Sequence, residues 1–179
     1  MKINDKVKFI YDDCEMTCED GELIFVIRGN VTIKNQSGGE CRAYDNATLN
    51  STGQEGGYCR VYGNATLNST GQEGGCCWAD GNSTLNSTEQ KGGDCRAFGD
   101  ATLNSTEQEG GDCRAHDSAT LYSSRQKGGL CDAYENSTLN STEQKGGDCW
   151  AFDNSTINST GQEGGCCETN DNATLKTID

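Results

Sequence analysis

From Gly38 to Glu163 the chain repeats one eighteen-residue unit seven times, with no residue inserted or deleted. The first copy reads GGECRAYDNATLNSTGQE and the last GGDCWAFDNSTINSTGQE; an eighth, GGCCETNDNATLKTID, stops two residues short. A period this strict leaves little choice of architecture. Each unit buries its face only against its neighbours, which is the condition of a solenoid. Within a unit, Cys41 and Ala43 lie two apart, and Ala47, Leu49 and Ser51 share one parity while Thr48, Asn50 and Thr52 share the other. Period two means strands. The dipeptides DN, GN and EN between the strands tolerate left-handed backbone, and the glycine pairs permit a reversal closed to other residues. The expected fold is therefore all-β: a single-stranded β-solenoid (β-helix) of about eight coils with a flattened, thin core. Either hand accommodates eighteen residues per turn.

Composition alone points elsewhere. With 32% hydrophobic residues, 24 glycines, no proline and a net charge of -14, a chain without a repeat would be read as disordered. Stacking on an identical copy removes the need for bulky side chains. The excess of 28 acidic over 14 basic residues argues against recognition of nucleic acid or an anionic membrane through a basic surface. The opening MKINDKVKFIYDD has no signal-peptide core, and the longest apolar run, LIFVI, is too short to span a bilayer. A cytoplasmic or virion-associated location is expected over a secreted one.

Residues 38–179 form the expected solenoid, and 1–37 read as an amino-terminal β cap. There, KVKFIY and ELIFVIR flank DDCEMTCEDG, and GNVTIKNQSGG resembles a shortened coil. A cap would protect an otherwise unpaired strand edge. At the other end TLKTID, with Lys176 and Asp179, offers little protection, so end-to-end self-association is an expected partner mode.

The register assigns the interior. Cys41, Cys59, Cys77, Cys95, Cys113, Cys131, Cys149 and Cys167 occupy one position in eight successive units. Leu49, Leu67, Leu85, Leu103, Leu121, Leu139, Ile157 and Leu175 occupy another. Both are expected to line the core. A file of thiols one strand spacing apart suits core packing, paired disulfides or, less well, a metal, because tetrahedral zinc needs converging ligands. No metal or cofactor is expected. Cys14, Cys18, Cys76 and Cys166 lie off the ladder; bridging of the cap and outward exposure of Cys76 and Cys166 are the two alternatives, and without a secretion signal neither is compelling.

The outward parity of the second strand spells Thr-x-Asn-x-Thr: Thr48, Asn50, Thr52; Thr66, Asn68, Thr70; Thr84, Asn86, Thr88; Thr102, Asn104, Thr106; Thr138, Asn140, Thr142; and Thr156, Asn158, Thr160. The unit with Tyr122 and Ser124 departs from it. This array is the candidate binding face, and it resembles the threonine arrays of β-solenoid antifreeze proteins. The resemblance implies ordering of an ice-like water layer; the plainer account is that Thr and Asn stack well in ladders. The same letters spell fourteen Asn-x-Ser/Thr acceptors, most of them by-products of turn Asn and strand Thr.

On the opposite face Arg42, Arg60, Trp78, Arg96, Arg114 and Trp150 form one row, and Tyr44, Tyr62, Phe98, His116, Tyr134 and Phe152 the next. Such rows either stiffen the sheet or meet carbohydrate or protein. Acidic corners, among them Glu55, Glu73, Glu107 and Glu109, resemble the DNA-mimicking surfaces of some pentapeptide-repeat proteins, although Lys91, Arg125, Lys127 and Lys145 interrupt them.

Catalysis finds no support in the sequence. There is a single histidine, His116, and no nucleophile–base or phosphate-loop pattern. The YGNATL core at Tyr62–Leu67 resembles Asn-Ala-Thr-Leu/Val solenoid repeats of bacterial and phage proteins. That resemblance implies a scaffold, fibre segment or binding surface, with no catalytic residues. The expected function is a non-enzymatic solenoid presenting flat faces for assembly or surface recognition, with an ice-binding protein and an acidic DNA-mimic inhibitor as the alternatives. Its partners would be itself or a repetitive surface of ice, glycan or protein.

Overall fold

Alternation commits each unit to two short strands, and the residues between them set how the chain turns. In the first full unit these are β5 (Glu40–Ala43) and β6 (Thr48–Thr52). Asp45 after β5 takes φ 55°, Gly53 after β6 takes φ 63°, and Gly57, the second glycine of its pair, takes φ 77°. Three left-handed residues per coil thus bend the chain back over its own start. At the first two of these positions other coils carry Asp117, Glu135, Glu89 or Arg125 with the same sign of φ, at a steric cost of roughly 1–2 kcal/mol each.

The computed structural model describes residues 6–19, 21–107, 109–143, 145–161 and 163–178. It is a β-solenoid of two parallel ten-stranded sheets. Sheet A holds the first strand of every coil and sheet B the second. Like residues stand over like: Cys41 pairs in register with Cys59, and Leu49 with Leu67. Asp179 lies outside the described residues.

The amino-terminal segment enters both sheets. β1 (Val7–Ile10) and β3 (Leu23–Val26) pair beneath β5, and β2 (Cys14–Met16) and β4 (Asn30–Lys34) beneath β6. In sheet A the offset between successive coils grows from 16 (Val7 to Leu23) to 17 (Leu23 to Glu40) to 18 (Glu40 to Tyr58). Ile24 stands below Cys41 and Val31 below Leu49, both buried, so at the base of the core an isoleucine takes the place that cysteine holds in the coils above.

From Cys41 to Cys149 and from Leu49 to Ile157 every ladder residue is fully buried. Burying each Leu stabilises the fold by roughly 1.5–3 kcal/mol. Two expected core positions differ. Cys167 is only half-buried, and Leu175 is 39% exposed. Their coil is stacked on one side only, whereas every other ladder residue lies between two coils.

Candidate functional site

Sheet B carries the Thr-x-Asn-x-Thr array outward, as its parity requires. The threonines of the first rank, Thr48, Thr66, Thr84, Thr102, Thr138 and Thr156, are half-buried and continue through Thr120 without a break. In the last rank Thr52, Thr70 and Thr142 are exposed, while Thr88, Thr106 and Thr160 are half-buried. Between the ranks the asparagines bond to one another. Asn68 Nδ2 donates to Asn50 Oδ1 at 2.8 Å, Asn86 to Asn68 at 2.9 Å, Asn104 to Asn86 at 2.8 Å and Asn158 to Asn140 at 2.8 Å. Asn68 and Asn86 both give and accept, so the three bonds from Asn50 to Asn104 polarise one another.

Tyr122 interrupts this ladder. It sits in register between Asn104 and Asn140 and is 48% exposed. Tyr122→Asn is expected to join the two halves through two new amide bonds, each worth roughly 0.5–1.5 kcal/mol. A gain of about 1–2 kcal/mol should raise the melting temperature by about 2–8 °C for a domain of this size. Calorimetry checks this; an unchanged or lower melting temperature contradicts it.

Sheet A carries the aromatic and arginine rows. Phe98, His116, Tyr134 and Phe152 form a continuous stack with centroids 4.9, 4.7 and 4.9 Å apart and planes within 9° of parallel. Burial in this stack lowers the His116 pKa, so the ring is held neutral between its neighbours. The arginines pair with acids of their own sheet: Arg42 with Glu40 at 2.9 Å, Arg96 with Asp94 at 3.1 Å and Arg114 with Asp112 at 2.7 Å. Arg114 also reaches Asp132 at 3.2 Å in the next coil. Asp132 replaces an outward Arg or Trp and is itself buried; that burial raises its pKa despite the guanidinium beside it.

Inside, the structure reveals a row that the pattern of strands did not disclose. Gln36, Gln54, Gln72, Gln90 and Gln126 lie at the glycine corner, yet all are fully buried. Each amide turns into the core and joins the corner to the thiol file. Gln54 Nε2 donates to the Gly57 carbonyl at 3.3 Å, and Gln90 Nε2 to that of Gly93 at 3.0 Å. The Oε1 atoms accept from thiols: Cys59 donates to Gln36 at 2.9 Å, Cys77 to Gln54 at 3.2 Å and Cys113 to Gln90 at 3.4 Å. Recurrence of Gln in every unit, between positions that vary, is the signal that would have found it.

Hydrogen bonds along the cysteine file, and then burial, hold Cys95 and Cys131 well above the ordinary thiol value. Protonated, buried thiols are poor nucleophiles. Cys18 lies buried against Cys41, whereas Cys14 is exposed on β2, and the two thiols are not bridged to each other. Cys76 and Cys166 are half-buried, and the Cys166 thiol donates to Glu168 at 3.2 Å. Among the described residues no group of three or more His, Cys, Asp or Glu side chains converges as metal ligands would.

Three of the corner cations that interrupt the acidic rows pair across coils: Lys91 with Glu73 at 3.1 Å, Arg125 with Glu107 at 2.8 Å and Lys127 with Glu109 at 2.9 Å. Exposed pairs of this kind add little stability. They do neutralise part of each acidic row. No protein-family model, curated protein or solved structure matches this chain.

Proposed function

We propose that the protein is a non-catalytic solenoid scaffold, a stiff rod whose flat faces repeat one set of side chains for assembly or surface recognition. One observation carries the reading. Like side chains bond to their own copies in the next coil, as in the asparagine ladder and the aromatic stack, instead of converging on a reactive cleft. Ten strands in each sheet give a rod roughly 43 Å long at the usual strand spacing. The resemblance of the repeat to Asn-Ala-Thr-Leu solenoids points the same way.

Ice is the second reading, favoured by the unbroken threonine rank from Thr48 to Thr156 on a sheet stiffened by the asparagine amides. The acidic DNA-mimic reading is weakened by the cross-coil pairing of the corner acids. Sedimentation velocity over a hundredfold range of concentration, together with ice-growth microscopy, tests the face. Side-by-side association of rods, or ice shaping, that disappears when Thr84 and Thr102 are both changed to Lys is the expected result. Monomers at every concentration combined with normal ice growth overturn it.

A further inference from the structure

Sheet A contains a second departure from the repeat that the scaffold reading leaves unused. Asp80 stands in the outward aromatic row, eighteen residues after Tyr62 and eighteen before Phe98. Elsewhere in this row, rings one coil apart stack with centroids 4.7–5.2 Å apart. Tyr62 and Phe98 are two coils apart, so their rungs are separated by roughly 9.6 Å. A planar group between two rings needs roughly 7–8 Å, so the gap admits one, in van der Waals contact with one ring face at a time.

That space is a surface cavity of about 270 Å³ lined by Val61, Tyr62, Trp78, Asp80 and Phe98. Trp78 bounds one side, its ring edge-on to Phe98 at 6.1 Å and 61°. The Asp80 carboxylate is exposed; Oδ1 accepts from the Gly81 amide at 2.7 Å. The two arginines that flank the Trp78 wall are paired with other acids. Arg60 lies 4.2 Å over Trp78 and pairs with Glu40, and Arg96 pairs with Asp94. Among the described residues, no ion pair reaches Asp80.

We propose that this cavity binds a planar organic cation, a guanidinium or amidinium group, stacked between Tyr62 and Phe98 with its N–H edge on the Asp80 carboxylate. Ring faces attract such cations, and a planar fork of donors matches a carboxylate. The chain already makes the same contact internally, with the Arg60 guanidinium over Trp78. A net charge of -14 favours a cationic guest at long range. The cation is either an arginine side chain of a partner or a free arylamidine, and the two probes below separate these sources.

Calorimetric titration of the intact chain with benzamidine and with acetylarginine methylamide tests the site, with neutral benzamide as the control. Saturable binding in the millimolar range is expected, weakened about tenfold by Asp80→Asn. Asp80→Tyr continues the aromatic row through the cavity and should abolish binding of both cations without lowering the melting temperature. Tighter binding of the arginine derivative assigns a partner's side chain, and tighter benzamidine binding a free ring-bearing cation. Equal binding of benzamide, undiminished affinity in Asp80→Tyr, or saturation by neither cation overturns the proposal.

Discussion

Gly93→Ala is expected to cost the rod more than 4 kcal/mol or so, an exceptional loss for a single added methyl group. Gly93 is the second glycine of its pair and takes φ 76°. Left-handed backbone alone penalises alanine by roughly 1–2 kcal/mol. The larger part comes from the neighbouring coil. A β-carbon built on Gly93 falls 2.3 Å from the Gly75 carbonyl oxygen and 2.9 Å from the Gly74 carbonyl carbon. Both are backbone atoms, and Cys76 to Ala79 beyond them is a strand of sheet A, so the strain is relieved only by parting the coils. Gly71 supplies the control. It too is left-handed, at φ 65°, but the nearest atom to its β-carbon is Gly53 N at 4.0 Å. Glu89 holds the equivalent place one coil on, so Gly71→Ala should lose only the conformational penalty. Urea unfolding followed by far-ultraviolet circular dichroism compares the two; equal midpoints would show that the coils are not in contact at this corner.

The same corner shows where sequence reasoning reached and where it stopped. Recurrence at eighteen residues forces like over like, so the cysteine and leucine files, the Thr and Asn ranks and the outward aromatic row were all legible. Their parity follows from the two-residue alternation of a strand. Gln90 was not legible, because it sits outside the strands, where parity says nothing, and a polar residue beside two glycines reads as solvated loop. Only the unvarying recurrence of Gln, carried even into the shortened coil at Gln36, distinguishes it from Glu89 and Lys91 on either side. The participation of β1 to β4 in both sheets was hidden for a different reason. Offsets of 16 and 17 residues break the period before the glycine pairs establish it. Asp80 was passed over in the aromatic row, because an acid in place of one ring gains meaning only when Tyr62, Trp78 and Phe98 are seen to share one cavity with it.

Gln90→Glu is expected to convert that buried corner into an acid-dependent fold. The Gln90 amide is fully buried. Its Nε2 donates to Gly93, and its Oε1 accepts from Cys95 at 3.5 Å, Ser105 at 3.4 Å and Cys113 at 3.4 Å. A neutral carboxylic acid has almost the same shape, accepts through its carbonyl and donates through its hydroxyl, so the protonated variant can keep these contacts. An ionised carboxylate cannot donate to Gly93 and meets no cation among these partners. Burial therefore raises the folded-state pKa of the new carboxyl above its unfolded value of about 4.3. Below that value both states carry the proton and the variant stays close to the parent. As pH rises the unfolded chain releases its proton first, and stability is lost by about 1.4 kcal/mol per pH unit until the folded carboxyl ionises as well. By neutral pH the deficit reaches about 3–4 kcal/mol. The parent, with its net charge of -14, has a pH dependence of its own, so the quantity to measure is the difference between the variant and parent urea midpoints at each pH. A difference that widens from about pH 4 to pH 7 places the carboxyl among the thiols, and a constant difference would place the residue 90 side chain in water.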